Sequence, residues 1–295
     1  MESFGEQPGT HYDEPWWRAV RALYDEAFPG LPAGIDRAAA LGARWTEVST
    51  PFALFEGDRC VCHVGVITHP MWLRDRVVPV AGIHAACTVT DQRRRGLCRR
   101  TLGRALAWAD QTHEVAKLHT DAPDVYGGHG FEPTPTWRFP ATRTPAAEVP
   151  KRRLRPSTEA ADAATLAALL ADRKPVSRHL ATADPGWMVT IVAALSDRLD
   201  SALWHLPDHG AIVAVDDRPG ETLIMEVIAR ELPPAEVVLA AAPDPTKPAC
   251  WTFRPDRLDP EATPEPAPAR IGTFMVRGAW PDALAPFGIS PLWEH

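Results

Sequence analysis

The chain has 295 residues, 45% of them hydrophobic and 23% charged, and a net charge of −7, which is the balance of a folded protein and excludes a general nucleic-acid binder. The length suggests about two domains at the usual ~150 residues each. No apolar run approaches the eighteen residues of a membrane span, the first fifteen residues lack a secretory leader's basic and apolar regions, and five cysteines suit reduced thiols in a cytoplasmic protein better than a disulfide framework.

Residues 13–28 carry Trp16, Val20, Leu23 and Phe28 along one helical face, with Pro15 suited to a first turn. Pro29 and Pro32 are expected to break that helix, and a second to run over 36–45. Residues 52–56 and 60–68 read as strands around the Gly57-Asp58 hairpin signal that lies between Glu56 and Arg59, and a third strand is expected at 71–73. Cys60, Cys62 and His63 invite a metal reading. No second Cys/His pair stands at zinc-site spacing and strand alternation turns His63 away from the cysteines, so no metal is expected.

The most informative stretch is residues 80–104. An apolar run, 80–89, reads as a buried strand. After Thr90-Asp91-Gln92 comes a basic cluster, Arg93-Arg94-Arg95-Gly96-Leu97-Cys98-Arg99-Arg100, and then Leu102, Ala105, Leu106 and Ala109 at helical spacing. A helix starting near Arg95 presents unpaired N–H groups and its positive dipole end to the turn, which favours an anion. Gly96 permits close backbone approach, and the arginines add charge and forked hydrogen bonds. This is a cradle suited to a diphosphate. A fifth strand is expected at 115–120, followed by Tyr126-Gly127-Gly128-His129-Gly130-Phe131.

The turn and the Tyr-x-x-x-Gly-Phe segment together resemble the GCN5-related N-acetyltransferases, whose signature places Arg93, Gly96 and Cys98 at its marked positions, Cys98 standing where a smaller residue is usual. The resemblance covers roughly residues 50–140. It implies an α/β (α+β) fold with a mixed, mostly antiparallel sheet flanked by helices, and acetyl-CoA as cosubstrate. It implies that Cys87, Thr88 and Val89 pair with the pantetheine arm, and that the turn from Arg93 to Arg100 holds the diphosphate. Tyr126 would protonate the leaving thiolate, at a balanced pKa. His84 is the candidate base, with His119, Asp121 and His129 behind it. The acceptor expected is a primary amine on a small molecule; a non-catalytic acyl-CoA sensor or scaffold is the alternative. Neither nucleic acid nor membrane is an expected partner, and oligomeric state stays open.

Residues 132–150, rich in proline and threonine, read as a linker, dividing a catalytic domain, 1–145, from a second domain, 146–295. There Ser157 is expected to cap a helix to residue 172, a second helix to span 184–199, and strands to follow at 201–206, 211–215 and 222–229, separated by Asp208-His209-Gly210 and a turn ending at Gly220. Helix, helix, then strands repeats the first half's order and suggests a degenerate copy without the cofactor turn. The tandem arrangement is similar to mycothiol synthases and to enhanced-intracellular-survival acetyltransferases. A last strand is expected at 271–276. The tail carrying Trp293, Glu294 and His295 is expected either to pack or to fold onto the active site, its carboxylate there helping to deprotonate the acceptor.

Overall fold

A computed structural model describes residues 5–6, 11–74, 76–268, 272–281 and 285–294. Chain order begins with β1 (Gly5–Glu6), α1 (Trp16–Ala27), α2 (Leu31–Ala40) and α3 (Trp45–Val48). The meander β2 (Ser49–Glu56), β3 (Arg59–Leu73) and β4 (Arg76–Thr88) follows, then α4 (Leu97–Ala109), β5 (Val115–Thr120), α5 (Pro123–Gly127), β6 (Glu132–Pro133) and β7 (Trp137–Pro140). The second half holds β8 (Arg152–Arg153), α6 (Ala160–Leu170), β9 (Leu180–Thr182), α7 (Trp187–Leu195), β10 (Leu203–Leu206), β11 (Ala211–Arg218), β12 (Glu221–Ala229), α8 (Ala235–Leu239), β13 (Ala249–Trp251), β14 (Glu265–Pro266) and β15 (Thr273–Gly278).

Two sheets share one topology. The first runs β1-β2-β3-β4-β5-β15-β6 and the second β8-β10-β11-β12-β13-β7-β14. Each is antiparallel except for one parallel pair, β4 with β5 and β12 with β13, joined across α4 and α8 respectively. This is the mixed, helix-flanked sheet expected, present twice. The two sheets exchange strands: β15 from the end of the chain enters the first, and β7, upstream of residue 145, enters the second. The cut between 1–145 and 146–295 is therefore crossed in both directions.

Strand alternation sorts the first sheet into two faces. Phe52, Val64, Val66, Ala81, Ile83, Ala116 and Leu118 meet Leu102, Ala105 and Leu106 of α4 in one apolar cluster. The opposite face meets α1, α2 and α7, and a second cluster runs through it to the second sheet and the tail. His63, Gly65, His84, Lys117 and His119 alternate with the α4-facing residues and so belong to this second face.

Several expectations need correction. The second helix begins at Leu31, not Asp36, because a proline in the first helical turn forfeits no hydrogen bond. Residues 59–73 form one strand: Pro70 is tolerated beside Pro79, and its carbonyl accepts the Ala183 N–H. The supposed linker contains β6 and β7. Ser157 does not cap α6; it bonds Asp200, and the helix starts at Ala160. The first strand, missed in the sequence, is a two-residue pairing on Leu54 and Phe55, too short to show a period. Ile271 lies outside the described residues; the last strand is Thr273–Gly278. Among the described residues no helix is long and apolar enough to cross a membrane.

Candidate active site

β4 and β5 are paired only from Val80, Ala81 and Gly82 to Val115, Ala116 and Lys117. Beyond Gly82 the strands part, β4 continuing to Thr88 and β5 to Thr120, where β5 pairs with β15 alone. On its other side β4 stays paired to β3, but the register slips between His63 and Gly65. The irregularity falls at Ala85, a non-glycine residue at φ 48°, a conformation costing about 1 kcal/mol or more. A strained bulge therefore sits where the sheet splits, and the backbone edge of Ile83 to Thr88 faces the split.

Two cavities open onto this edge. The first, of ≈ 430 Å³, is walled by Ala86, Cys87 and Thr88 of β4 and by the turn, with Arg93, Arg94, Gly96 and Arg99 around it. Gly96 caps α4 at φ 77°, and the helical ladder begins only with the Arg100 N–H on the Gly96 carbonyl at 3.0 Å. The amides of Leu97, Cys98 and Arg99 thus lie in the first turn, with no carbonyl of their own helix to bind. A Cβ on Gly96 would meet nothing within 4 Å, so space is open there and conformation alone demands glycine. Arg93, Arg94 and Arg99 are exposed. The turn fits a diphosphate: exposed cations, an open helix start and a cavity between them.

Three expected members lie outside this cavity. Val89 is buried and its N–H is spent on the Val61 carbonyl. Arg95 turns back onto the Gln92 side chain. Arg100 stands on the next turn of α4. Tyr126, on α5, packs edge-on against Phe131 at 6.0 Å between ring centroids, near Thr120 and the Cys98 and Cys87 thiols. Burial, helped by the Cys98 thiol, pushes its phenol up to about 12. Tyr126 stays protonated at neutral pH, and a transfer to a thiolate is uphill rather than balanced.

The second cavity, of ≈ 700 Å³, lies between the segment after α1, α7 and the tail, and is lined by His84 and Ala85 of β4. Phe28 borders both cavities. His84 is 4% exposed and packs edge-on against Trp45 at 4.7 Å. Its Nε2 lies 2.8 Å from Ser49 Oγ, while Nδ1 has no hydrogen-bond partner. Burial, and then His63, hold its pKa well below the usual 6.5, so the ring is neutral. Behind Ser49 the chain of polar atoms goes on to Tyr12 OH at 3.0 Å, and from there to His63 Nε2 at 3.2 Å and Tyr24 OH at 3.3 Å. His63 Nδ1 closes on the Ala85 carbonyl at 3.1 Å. Burial keeps His63 neutral, down at about 4, and raises the Tyr12 phenol to about 12. Gly65 is required beneath His84, because a Cβ there would overlap the imidazole ring. Ser49, Gly65 and Tyr12 went unnoticed in the sequence; each is an ordinary residue until the strands align.

The tail also enters. Trp293 is fully buried, its indole donating to Glu226 at 2.6 Å and its carbonyl accepting from Lys117 Nζ at 2.7 Å. Ser290 donates to the Met225 carbonyl at 2.6 Å. These anchors bring Glu294 to the wall of the larger cavity, 3.7 Å from His119 Nε2. His295, whose carboxylate was the candidate helper, lies outside the described residues. Asp121 and His129 line neither cavity. Cys62 and His63 sit on opposite faces, Cys62 accepting from Thr101 of α4 and His63 meeting Tyr24 of α1. Among the described residues no group of three His, Cys, Asp or Glu is placed to hold a metal ion.

Residues 11–134 match the family model of an acetyltransferase (GNAT) domain. No curated protein matches the chain. Among solved structures, a GCN5-related N-acetyltransferase from Kribbella flavida is similar at 17% identity and TM-score 0.56, covering 94% of this chain and 71% of that one. Eis1 from Mycobacterium abscessus is similar at 17% identity and TM-score 0.57, covering 94% and 73%. A probable N-acyltransferase from Enterococcus faecalis V583 gives 12% identity and TM-score 0.59, covering 94% and 73%. At such identities the likeness is one of fold.

Proposed function

We propose that the chain, whose residues 11–134 match the acetyltransferase (GNAT) domain model, is a GCN5-related N-acetyltransferase that moves an acetyl group from acetyl-CoA to the primary amine of a small molecule. One observation carries this reading: two cavities that share Phe28 reach adjacent residues of the same split strand, Ala86 in one and Ala85 in the other. A donor and an acceptor entering through the two cavities would meet at the bulge.

On this reading the first turn of α4 and Arg93, Arg94 and Arg99 hold the diphosphate, as charge-assisted donors do. Cys87 and Thr88 extend their backbone edge to the pantetheine amides. A backbone N–H at the split supports the oxygen of the thioester carbonyl as negative charge develops. The neutral amine attacks, and His84 accepts its proton at the ring nitrogen that Ser49 does not bind. The chain through Ser49 and Tyr12 holds the tautomer. Tyr126, protonated throughout, donates a hydrogen bond to the departing thiolate. Five free cysteines suit a reducing compartment, so we place the protein in the cytoplasm.

The test is thiol release from acetyl-CoA by His84→Gln and wild type across pH. His84→Gln lowers kcat by about 100-fold, the lower range for a lost general base, with acetyl-CoA affinity retained. Wild-type activity keeps its acid limb below pH 6.5, because the histidine is neutral there already. Equal turnover in the variant would remove His84 from the proton path. Acetyl-CoA binding without thiol release across a broad panel of amines would leave an acyl-CoA sensor.

A further inference from the structure

The larger cavity has walls that say which amine it takes. Met188, Ile191, Val192 and Leu195 of α7 face Phe28 and Leu31 across it, and Trp45 stands behind His84. The charged groups at its rim are already matched. Arg37 binds Asp197 at 2.6 Å and the Ala194 carbonyl at 2.7 Å, and Arg198 reaches Asp216 at 3.3 Å. Among the described lining residues the two arginines equal the two carboxylates, Asp197 and Glu294, so the wall has no acidic excess for a polycation. The chain's net charge of −7 therefore lies elsewhere. Only Glu294 is a carboxylate brought to this wall by the buried tail, and it lies on the same side as His119 and His84.

Resting on the acetyltransferase reading, we propose that the acceptor is an amine with a single ammonium on an apolar body, an arylalkyl or alkyl amine, and not a polyamine or aminoglycoside. The apolar body packs on α7 and the segment after α1, and the ammonium lies toward Glu294 before it loses one proton to water and attacks as the neutral amine, His84 taking the second. A cavity of ≈ 700 Å³ falls within the size range of pockets for drug-sized ligands. Each further ammonium would be desolvated against aliphatic side chains without a partner.

The experiment uses the full chain. Thiol release is measured with n-alkylamines of two to eight carbons, 2-phenylethylamine, spermidine and one aminoglycoside, while calorimetry follows acetyl-CoA binding in the same samples. The proposal expects kcat/KM to rise about fourfold per methylene through the shorter alkylamines, from the transfer energy of one methylene. It also expects 2-phenylethylamine to exceed spermidine and the aminoglycoside by tenfold or more. Val192→Asp, on the partly exposed side of α7, should erase that ratio by at least tenfold with acetyl-CoA affinity unchanged. Preference for spermidine or the aminoglycoside overturns the proposal, as does acetyl-CoA binding with no turnover of the apolar amines. Loss of acetyl-CoA binding itself would instead strike the acetyltransferase reading.

Discussion

At the scale of single residues, the site depends on small side chains that leave room for others. Gly65 on β3 gives its place to the His84 ring. Gly65→Ala must push that ring off Ser49 or shift β3 from β4. Overpacking of this kind costs about 1–3 kcal/mol. The expected outcome is a lower urea midpoint together with a fall in kcat close to that of His84→Gln; an unchanged kcat would mean that the ring position is irrelevant. Tyr126→Phe keeps the packing on Phe131 and removes only the hydroxyl. It should lower turnover about tenfold or more with little change in acetyl-CoA affinity, a smaller loss than that of a general base, because the phenol donates a hydrogen bond and not a free proton. Equal activity would show that the departing thiolate takes no hydrogen bond from Tyr126.

At the scale of elements, β5 and the tail are joined through a buried amine, Lys117, which donates to the Trp293 carbonyl. Lys117 is 2% exposed, and burial draws its ammonium from 10.5 down to about 7. The unfolded chain then carries the extra proton between about pH 7 and 10.5, so stability attributable to this group rises with pH across that window. The slope is about 1.4 kcal/mol per pH unit over the middle of that range. Lys117→Met, which fills the same space, should lack the rise. Urea midpoints at pH 7.5 and 9.5 for both proteins read the difference, and parallel curves would contradict the lowered proton affinity of the buried amine. The variant also frees the Trp293 carbonyl, so KM for the amine should increase while affinity for acetyl-CoA holds. Legibility in the sequence follows the same division. The strand, turn and helix from Val80 to Ala109 were readable because local pattern and local structure coincide there: an apolar run, a glycine at φ 77°, then helical spacing. Lys117 gave no signal, since a lysine in an otherwise apolar strand takes its meaning from a carbonyl 176 residues away. The β7 segment was hidden for a similar reason, its partners β13 and β14 arriving more than a hundred residues later.

At the scale of the whole molecule, the exchange of β7 and β15 ties the halves together. Met275 of β15 is 1% exposed and packs in the cluster under α4, beside Leu102 and Leu118. Met275→Ala should cost about 2–5 kcal/mol, as buried methionine truncations do. Because β15 completes the first sheet, the loss should appear as a shift of one cooperative transition and not as a separate early one. Two resolved transitions in calorimetry, only one of them moved, would contradict it. The second sheet keeps the topology of the first but joins β12 to a five-residue helix, α8, through Arg230 to Pro234, with no glycine in the turn. The second half keeps the sheet topology and contributes α7 and the tail to the larger cavity.

The most direct test is acetyl-CoA binding by isothermal titration calorimetry to the wild type and to Gly96→Val. The account predicts one site per chain in the wild type and affinity at least tenfold weaker in the variant, since valine resists φ 77° and the first-turn amides lose their alignment, with the far-ultraviolet circular dichroism unchanged. No heat with the wild type, or equal affinity in the two proteins, would contradict the cradle at Gly96.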